Sequence, residues 1–119
     1  MSLHIERQGD VAIVVPNGPL DGSKLTRELE TAMRKLISDG QEKIVLDLGK
    51  TSRVSSIGAG VLASLHLSTT RRDVAMHVCN INKRIEDLLI IIQLIRVLKA
   101  FDTREDALAA FEVKLSGTS

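Results

Sequence analysis

Val45-Leu46-Asp47-Leu48-Gly49-Lys50-Thr51-Ser52-Arg53-Val54-Ser55-Ser56-Ile57-Gly58-Ala59-Gly60-Val61-Leu62 is the junction on which the fold turns. Its opening, extended back to Lys43, reads Lys-Ile-Val-Leu-Asp-Leu, apolar at four of six positions. That pattern predicts a short strand buried on both faces. Gly49 to Gly60 is a loop rich in Ser, Thr and Gly, and Val61-Leu62-Ala63-Ser64-Leu65-His66-Leu67 follows without a proline as an apolar helix. A Ser55-Ser56 pair therefore stands before Gly58-x-Gly60 at a helix entrance. Serine hydroxyls there can cap orphan N–H groups, and glycines let a second backbone or a large rigid body approach closely. Capping alone is the plain reading of the pair, and a contact site is the functional one.

Working outward toward the N-terminus, His4 to Arg7 and Val11 to Pro16 flank Gly9-Asp10 and predict a β-hairpin. Between Ser23 and Asp39, Leu25, Leu29, Ala32, Met33, Leu36 and Ile37 recur at spacings of three and four, which predicts an amphipathic helix ended by Gly40. Toward the C-terminus, Asp73 to Cys79 predicts a second buried strand. Asn82 is placed to cap a helix reaching about Ile91. Arg96 to Ala100 predicts a short strand, and Thr103 with Asp106 resembles a capping box opening a helix over Arg104 to Val113. Residues 113–119 are a polar tail expected to fray. Strands alternating with helices after a hairpin predict one α/β domain over residues 1–119, a mixed sheet with about four helices packed on it.

Composition narrows the function. Apolar residues make up 44% and charged residues 26% of the 119, which is globular and not disordered. Sixteen Lys and Arg against fifteen Asp and Glu leave a net charge of +1, so no overall field draws nucleic acid or an anionic membrane. The only aromatic residues of the Phe, Tyr and Trp class are Phe101 and Phe111, so stacking platforms for nucleic acid are absent. Cys79 is the single cysteine, and with no signal-peptide pattern over Met1 to Asp10 the expected location is the cytoplasm. Leu88 to Leu98 is about half the length of a membrane helix and carries Gln93 and Arg96, so no membrane insertion is expected. His4, His66, His77 and Cys79 lack chelating spacing, and Gly58-x-Gly60 lacks the third glycine and lysine of a phosphate-cradling loop. Asp21, Asp47 and Asp102 lie at strand or loop ends, where caps and rim charges are the expected roles. No nucleophile, base and orienter assemble from the sequence, so an enzyme is not expected, and neither a metal nor a cofactor is.

The order strand, Asp-Leu, loop, Val, x-Ser-x-Gly-x-Gly, helix resembles the signature of STAS domains of the anti-sigma-factor-antagonist type. Gly18-Pro19-Leu20-Asp21 is similar to that family's turn after the second strand. Cys79 to Leu89 is similar to its approach to the third helix, and Asp102 to Phe111 to its last strand-to-helix boundary. The resemblance implies that Ser56 occupies the place of the phosphorylated serine, with Ser55 as the competing position. It also implies that Asp21, Lys50, Arg53, Ser55, Ser56, Ile57, Gly58, Ala59, Gly60 and Asn80 form the partner-binding region at one end of the sheet. The implied partners are an anti-sigma factor or serine kinase and a serine phosphatase, with transcription regulated through protein contacts. Two departures stand out. Ser55 replaces the family's Asp, which opens the alternative of an unphosphorylated scaffold or an accessory subunit of a transport or stress-signalling complex. Where the family ends its third helix with a glycine, this chain has Ile90-Ile91-Ile92-Gln93-Leu94-Ile95. On a helix from Lys83, Ile85, Leu88, Leu89 and Ile92 share a stripe, and Ile90, Ile91 and Ile95 cannot all join it. Ile90, Ile91, Leu94 and Ile95 are therefore expected to form a self-association or partner surface, a homodimer first among the options. The competing reading is a longer helix that buries them in its own core.

Overall fold

The computed structural model describes residues 2–117, with side-chain surroundings through Phe111. Strands β1 (Ser2–Gln8) and β2 (Val11–Asn17) form the expected hairpin, with Gln8 opposite Val11 and Ser2 opposite Asn17. Strands β3 (Lys43–Asp47), β4 (Ala75–Cys79) and β5 (Lys99–Phe101) add in parallel, giving one sheet in the order β1-β2-β3-β4-β5. Helices α1 (Lys24–Ser38), α2 (Ser56–Arg71), α3 (Lys83–Ile91) and α4 (Arg104–Gly117) connect or follow the strands. Because side chains alternate across a strand, the central strands carry two apolar sets. Ala12, Val14, Ile44, Leu46, Met76 and Val78 meet Leu25, Leu29 and Met33 of α1, Leu62 and Leu65 of α2, and Ile85 and Leu89 of α3. On the opposite face Val11, Ile13, Val15, Val45 and Cys79 are covered by Ala107 and Phe111 of α4. His77 belongs to this second layer. Its ring lies 3.9 Å from that of Phe111 and nearly parallel to it, and its Nδ1 donates to the Ala107 carbonyl at 2.8 Å.

Two local expectations change, and one competing reading falls. Helix α2 begins at Ser56 and not at Val61, because Ser55 supplies the N-cap and no proline interrupts the next turn. The segment expected as a strand over Arg96–Ala100 splits: Leu94–Arg96 is one 3-10 turn, and pairing with β4 starts at Lys99. Helix α3 ends where expected, and the competing reading of a longer helix through the isoleucines falls. The helix stops at Ile91, and Gln93 takes φ +64°, the left-handed position usually filled by glycine after a helix. Ile92, expected on the buried stripe, is consequently exposed. At the C-terminus the backbone is helical through Gly117, and the rest of the expected tail, residues 118 and 119, lies outside the described residues. Among the described residues no helix is long and apolar enough to cross a membrane.

Candidate functional site

Strands β2, β3 and β4 are parallel, so the segments leaving them emerge at one edge of the sheet. These segments are 17–23, 48–55 and 80–82, and hydrogen bonds lock them together. Gly18 N–H donates to the Lys50 carbonyl, and Leu20 N–H to the Arg53 carbonyl, both at 3.0 Å. The Leu20 carbonyl accepts Ser55 N–H at 3.0 Å, which makes Leu20 and Val54 an isolated parallel bridge. Thr51, buried, donates its hydroxyl to the Pro16 carbonyl at 3.2 Å. Asn82 ties in the third segment: its Oδ1 caps α3 through Ile85 N–H at 2.8 Å, and its Nδ2 donates to the Ser52 carbonyl at 3.0 Å. The loop before Ser56 is therefore fixed from both sides.

A charged network supports the base of this loop. The Asp47 carboxylate, 5% exposed at the end of β3, accepts Gly49 N–H at 2.9 Å, Asn80 Nδ2 at 3.1 Å and Arg104 Nε at 2.9 Å. Arg104 also donates to Glu6 of β1 at 2.5 Å. Burial pushes the Asp47 carboxyl up, but the Gly49 and Asn80 donors and the Arg104 guanidinium outweigh it and hold the group below its usual value. Asp47 is thus a buried structural anion and not the rim charge or cap expected of it. Cys79 lies beside it. Burial first, and the Asp47 charge second, push its thiol up to about 12.

Helix α2 separates the roles of the paired serines and glycines. Ser55 caps the helix, its Oγ accepting Gly58 N–H at 3.3 Å. Ser56, one residue on, is exposed and its hydroxyl makes no hydrogen bond among the described residues. Gly58 is buried, and a Cβ there would run into the Leu20 carbonyl oxygen, the same atom that accepts Ser55 N–H. Gly60 faces open space. Ile57, 63% exposed, leans on the backbone of Gly22, where a Cβ would come within 3.0 Å of its side chain.

Of the residues expected to bind a partner, Lys50, Ser56, Ile57 and Gly60 are exposed at this edge. Arg53 is exposed but pairs with Asp21 at 3.4 Å. Gly58 is buried and shapes the site without presenting a surface, while Ala59, also largely buried, lines the floor of a groove. Asn80 is turned into the Asp47 network and supports the loop from beneath. A groove of about 330 Å3 runs from Ser56, Ala59, Gly60 and Ala63 to Ile92 and Leu94, joining the serine to the end of α3. Ile90, Ile91 and Ile92 are exposed there, Ile91 at 76%. Leu94 is buried in the core of its own chain and Ile95 is half-buried against that core, so of the expected self-association set Ile90 and Ile91 are the exposed members. The burial of Leu94 and Ile95 follows from the turn at Gln93, which redirects the chain inward. Asp47, Arg104, Asn82 and Thr51 position the loop, yet the sequence marked none of them for it. Asn82 showed only its capping signal, and the partners of Arg104 lie 57 and 98 residues away in sequence.

The edge thus combines a hydrogen-bonded loop, a serine without a side-chain partner among the described residues at the first position of a helix, and exposed isoleucines at Ile57 and at the end of α3. Residues 2–107 match the STAS domain family, and the chain belongs to it. A relative from Thermotoga neapolitana, named "Putative anti-sigma factor antagonist TM1081 homolog", is 27% identical over 99 residues, covering 83% of this chain and 88% of the relative. A crystal structure from Thermotoga maritima described in the same terms superposes with a TM-score of 0.84 at 22% identity, over 91% of this chain and 92% of the other. The anti-sigma factor antagonist SpoIIAA in its unphosphorylated form superposes at 0.72 with 15% identity, over 95% and 98% of the two chains. The same protein from Bacillus in its phosphorylated form also gives 0.72, at 14% identity over 92% and 99%. The chain is therefore a STAS domain similar to anti-sigma factor antagonists.

Proposed function

We propose that this protein is a cytoplasmic regulatory module that binds an anti-sigma factor or serine kinase through the Ser56 edge, and that phosphorylation of Ser56 releases the partner. It acts by binding and not by catalysis. The observation that carries this reading is the division of labour between neighbours: Ser55 is engaged as the N-cap, whereas the Ser56 hydroxyl is exposed and unengaged. Replacement of the family's Asp by Ser55 does not remove the cap, since Ser and Asp are comparable N-cap residues. A phosphate on Ser56 would add about −1.5 to −2 charges at neutral pH. The N–H groups of the first turn and the helix dipole favour that charge within the domain. Release therefore comes from the partner, for which a dianion in an apolar contact is costly. A serine phosphatase restores the binding form. Ile90 and Ile91 extend the contact area, and their continuity with the Ser56 groove through Ile92 favours partner docking over a homodimer.

Incubation with ATP and a serine kinase of the anti-sigma-factor type from the same organism, followed by intact-mass analysis and peptide mapping, tests the assignment. One added phosphate on Ser56 is the expected result. Phosphate on Ser55 instead overturns the site, and an unmodified chain favours the constitutive scaffold to which the loss of the Asp also points.

A further inference from the structure

At the far end of α2 the surface changes character. Arg34 of α1 and Arg71 and Arg72 at the end of α2 line a cleft of about 260 Å3, completed by Ile37, Ser38 and Ser68. Arg34 is held in place: Nη1 donates to Ser68 Oγ at 2.9 Å, and Nη2 to Ser64 Oγ at 2.8 Å and to Glu30 at 3.2 Å. A guanidinium has five N–H donors, so Arg34 keeps donors for a further acceptor. Arg71 and Arg72 are exposed and have no side-chain hydrogen bond or ion pair among the described residues. Basic residues near a helix C-terminus often serve its free carbonyls, but neither arginine donates to one here. No carboxylate lines the cleft.

We propose that this cleft binds the phosphate group of a small phosphorylated ligand. Guanidinium forks match the spacing of phosphate oxygens and bind them in pairs. The Ser38 and Ser68 hydroxyls, one from the end of α1 and one from α2, add short donors to the lining. The volume falls just below the roughly 300–1,000 Å3 of pockets that enclose a drug-sized ligand, which suits a phosphate with a short organic stem and excludes a dinucleotide. On helix α2 (Ser56–Arg71) the cleft is lined from Ser68 to the helix end, which at 1.5 Å per residue is about 18–23 Å along the axis from Ser56. Its occupancy can therefore be measured on the chain without a partner.

The test is an amide NMR titration in a phosphate-free buffer with inorganic phosphate, with glycerol 3-phosphate, and with sodium chloride at equal ionic strength. The expected result is saturating shifts confined to residues 34–38 and 64–72, produced by the phosphates and not by chloride. Tighter binding of glycerol 3-phosphate would identify an organic phosphate as the ligand, and equal binding would identify phosphate itself. The Arg71→Ala/Arg72→Ala variant should bind about tenfold or more weakly, the loss expected for two charge-assisted contacts. Both side chains are exposed, so the variant's spectrum outside the cleft should stay unchanged. Shifts that fail to saturate, that chloride reproduces, or that persist with equal affinity in the variant overturn the proposal.

Discussion

The two glycines after Ser56 should respond oppositely to the same substitution. In Gly58→Ala the new methyl meets the Leu20 carbonyl oxygen, a backbone atom that cannot rotate away. Relief requires either the start of α2 or the turn at Leu20 to move. Overpacking of this kind costs about 1–3 kcal/mol, and weakening the Ser55 N–H bond to the same carbonyl adds about 0.5–1.5 kcal/mol. Against these losses stands the better helix propensity of alanine, about 1 kcal/mol. The net destabilisation is about 0.5–3.5 kcal/mol, or roughly 2–14 °C in Tm at about 4 °C per kcal/mol for a domain of this size. Gly60→Ala meets nothing within 4 Å, so only the propensity gain remains. It should raise Tm by up to about 4 °C. Urea and thermal unfolding followed by circular dichroism measure both. Because Gly60 faces outward on the proposed docking surface, Gly60→Ala should also weaken partner binding while stabilising the fold. A neutral Gly58→Ala, or a Gly60→Ala that destabilises as much, would refute this account of how Leu20 packs against α2.

Gln93→Gly should stabilise the chain by about 0.5–1 kcal/mol, because a side chain at φ +64° is strained and glycine is not; a lowered urea midpoint would count against it. The Asp47 carboxyl is held below its usual value, so its stabilisation is complete above about pH 4 and is lost as pH falls through the folded-state value. Arg104→Gln should cost about 2–3 kcal/mol, discounted for partial exposure, and should move the acid-unfolding midpoint to higher pH as burial gains the upper hand. An unchanged acid midpoint would show that Arg104 does not hold the carboxylate. Cys79, buried with its thiol pushed up to about 12, should resist disulfide-exchange reagents at pH 8 until the chain unfolds; rapid modification of the native protein would contradict that placement.

The sheet and the helices were legible because their signals are local. Leu25, Leu29, Met33 and Leu36 mark α1 by spacing alone, and Lys43 to Leu48 marks the central strand by composition. The serine pair was legible as a helix entrance, but the first helical residue was not, since Gly58 and Gly60 weaken the propensity signal at the point where Leu20 packs against the first turn. The end of α3 near Ile91 was legible, but the course of the chain beyond it was not, because a turn made by Gln93 has no glycine to announce it. At the site, the likeness of residues 18–21 and 45–62 to a known family brought Asp21 and the Ser56 loop together correctly. Exposure was beyond its reach. Gly58 and Gly60 look equivalent in sequence, yet one packs on Leu20 and the other faces solvent. Asp47 and Arg104 meet only after the whole sheet has formed.

The measurement that bears most directly on the proposed switch is calorimetry of Ser56→Asp and Ser56→Ala against the isolated anti-sigma factor or serine kinase that the unmodified protein binds. Both changes are at an exposed position and should leave the fold intact. The account predicts that Ser56→Ala binds as the unmodified protein does, because the hydroxyl makes no contact it would lose within the chain. Ser56→Asp should bind at least about tenfold more weakly, because its charge enters the contact without a counter-charge. Equal affinity for the two variants would contradict the account, leaving the Ser56 edge a docking surface without a switch.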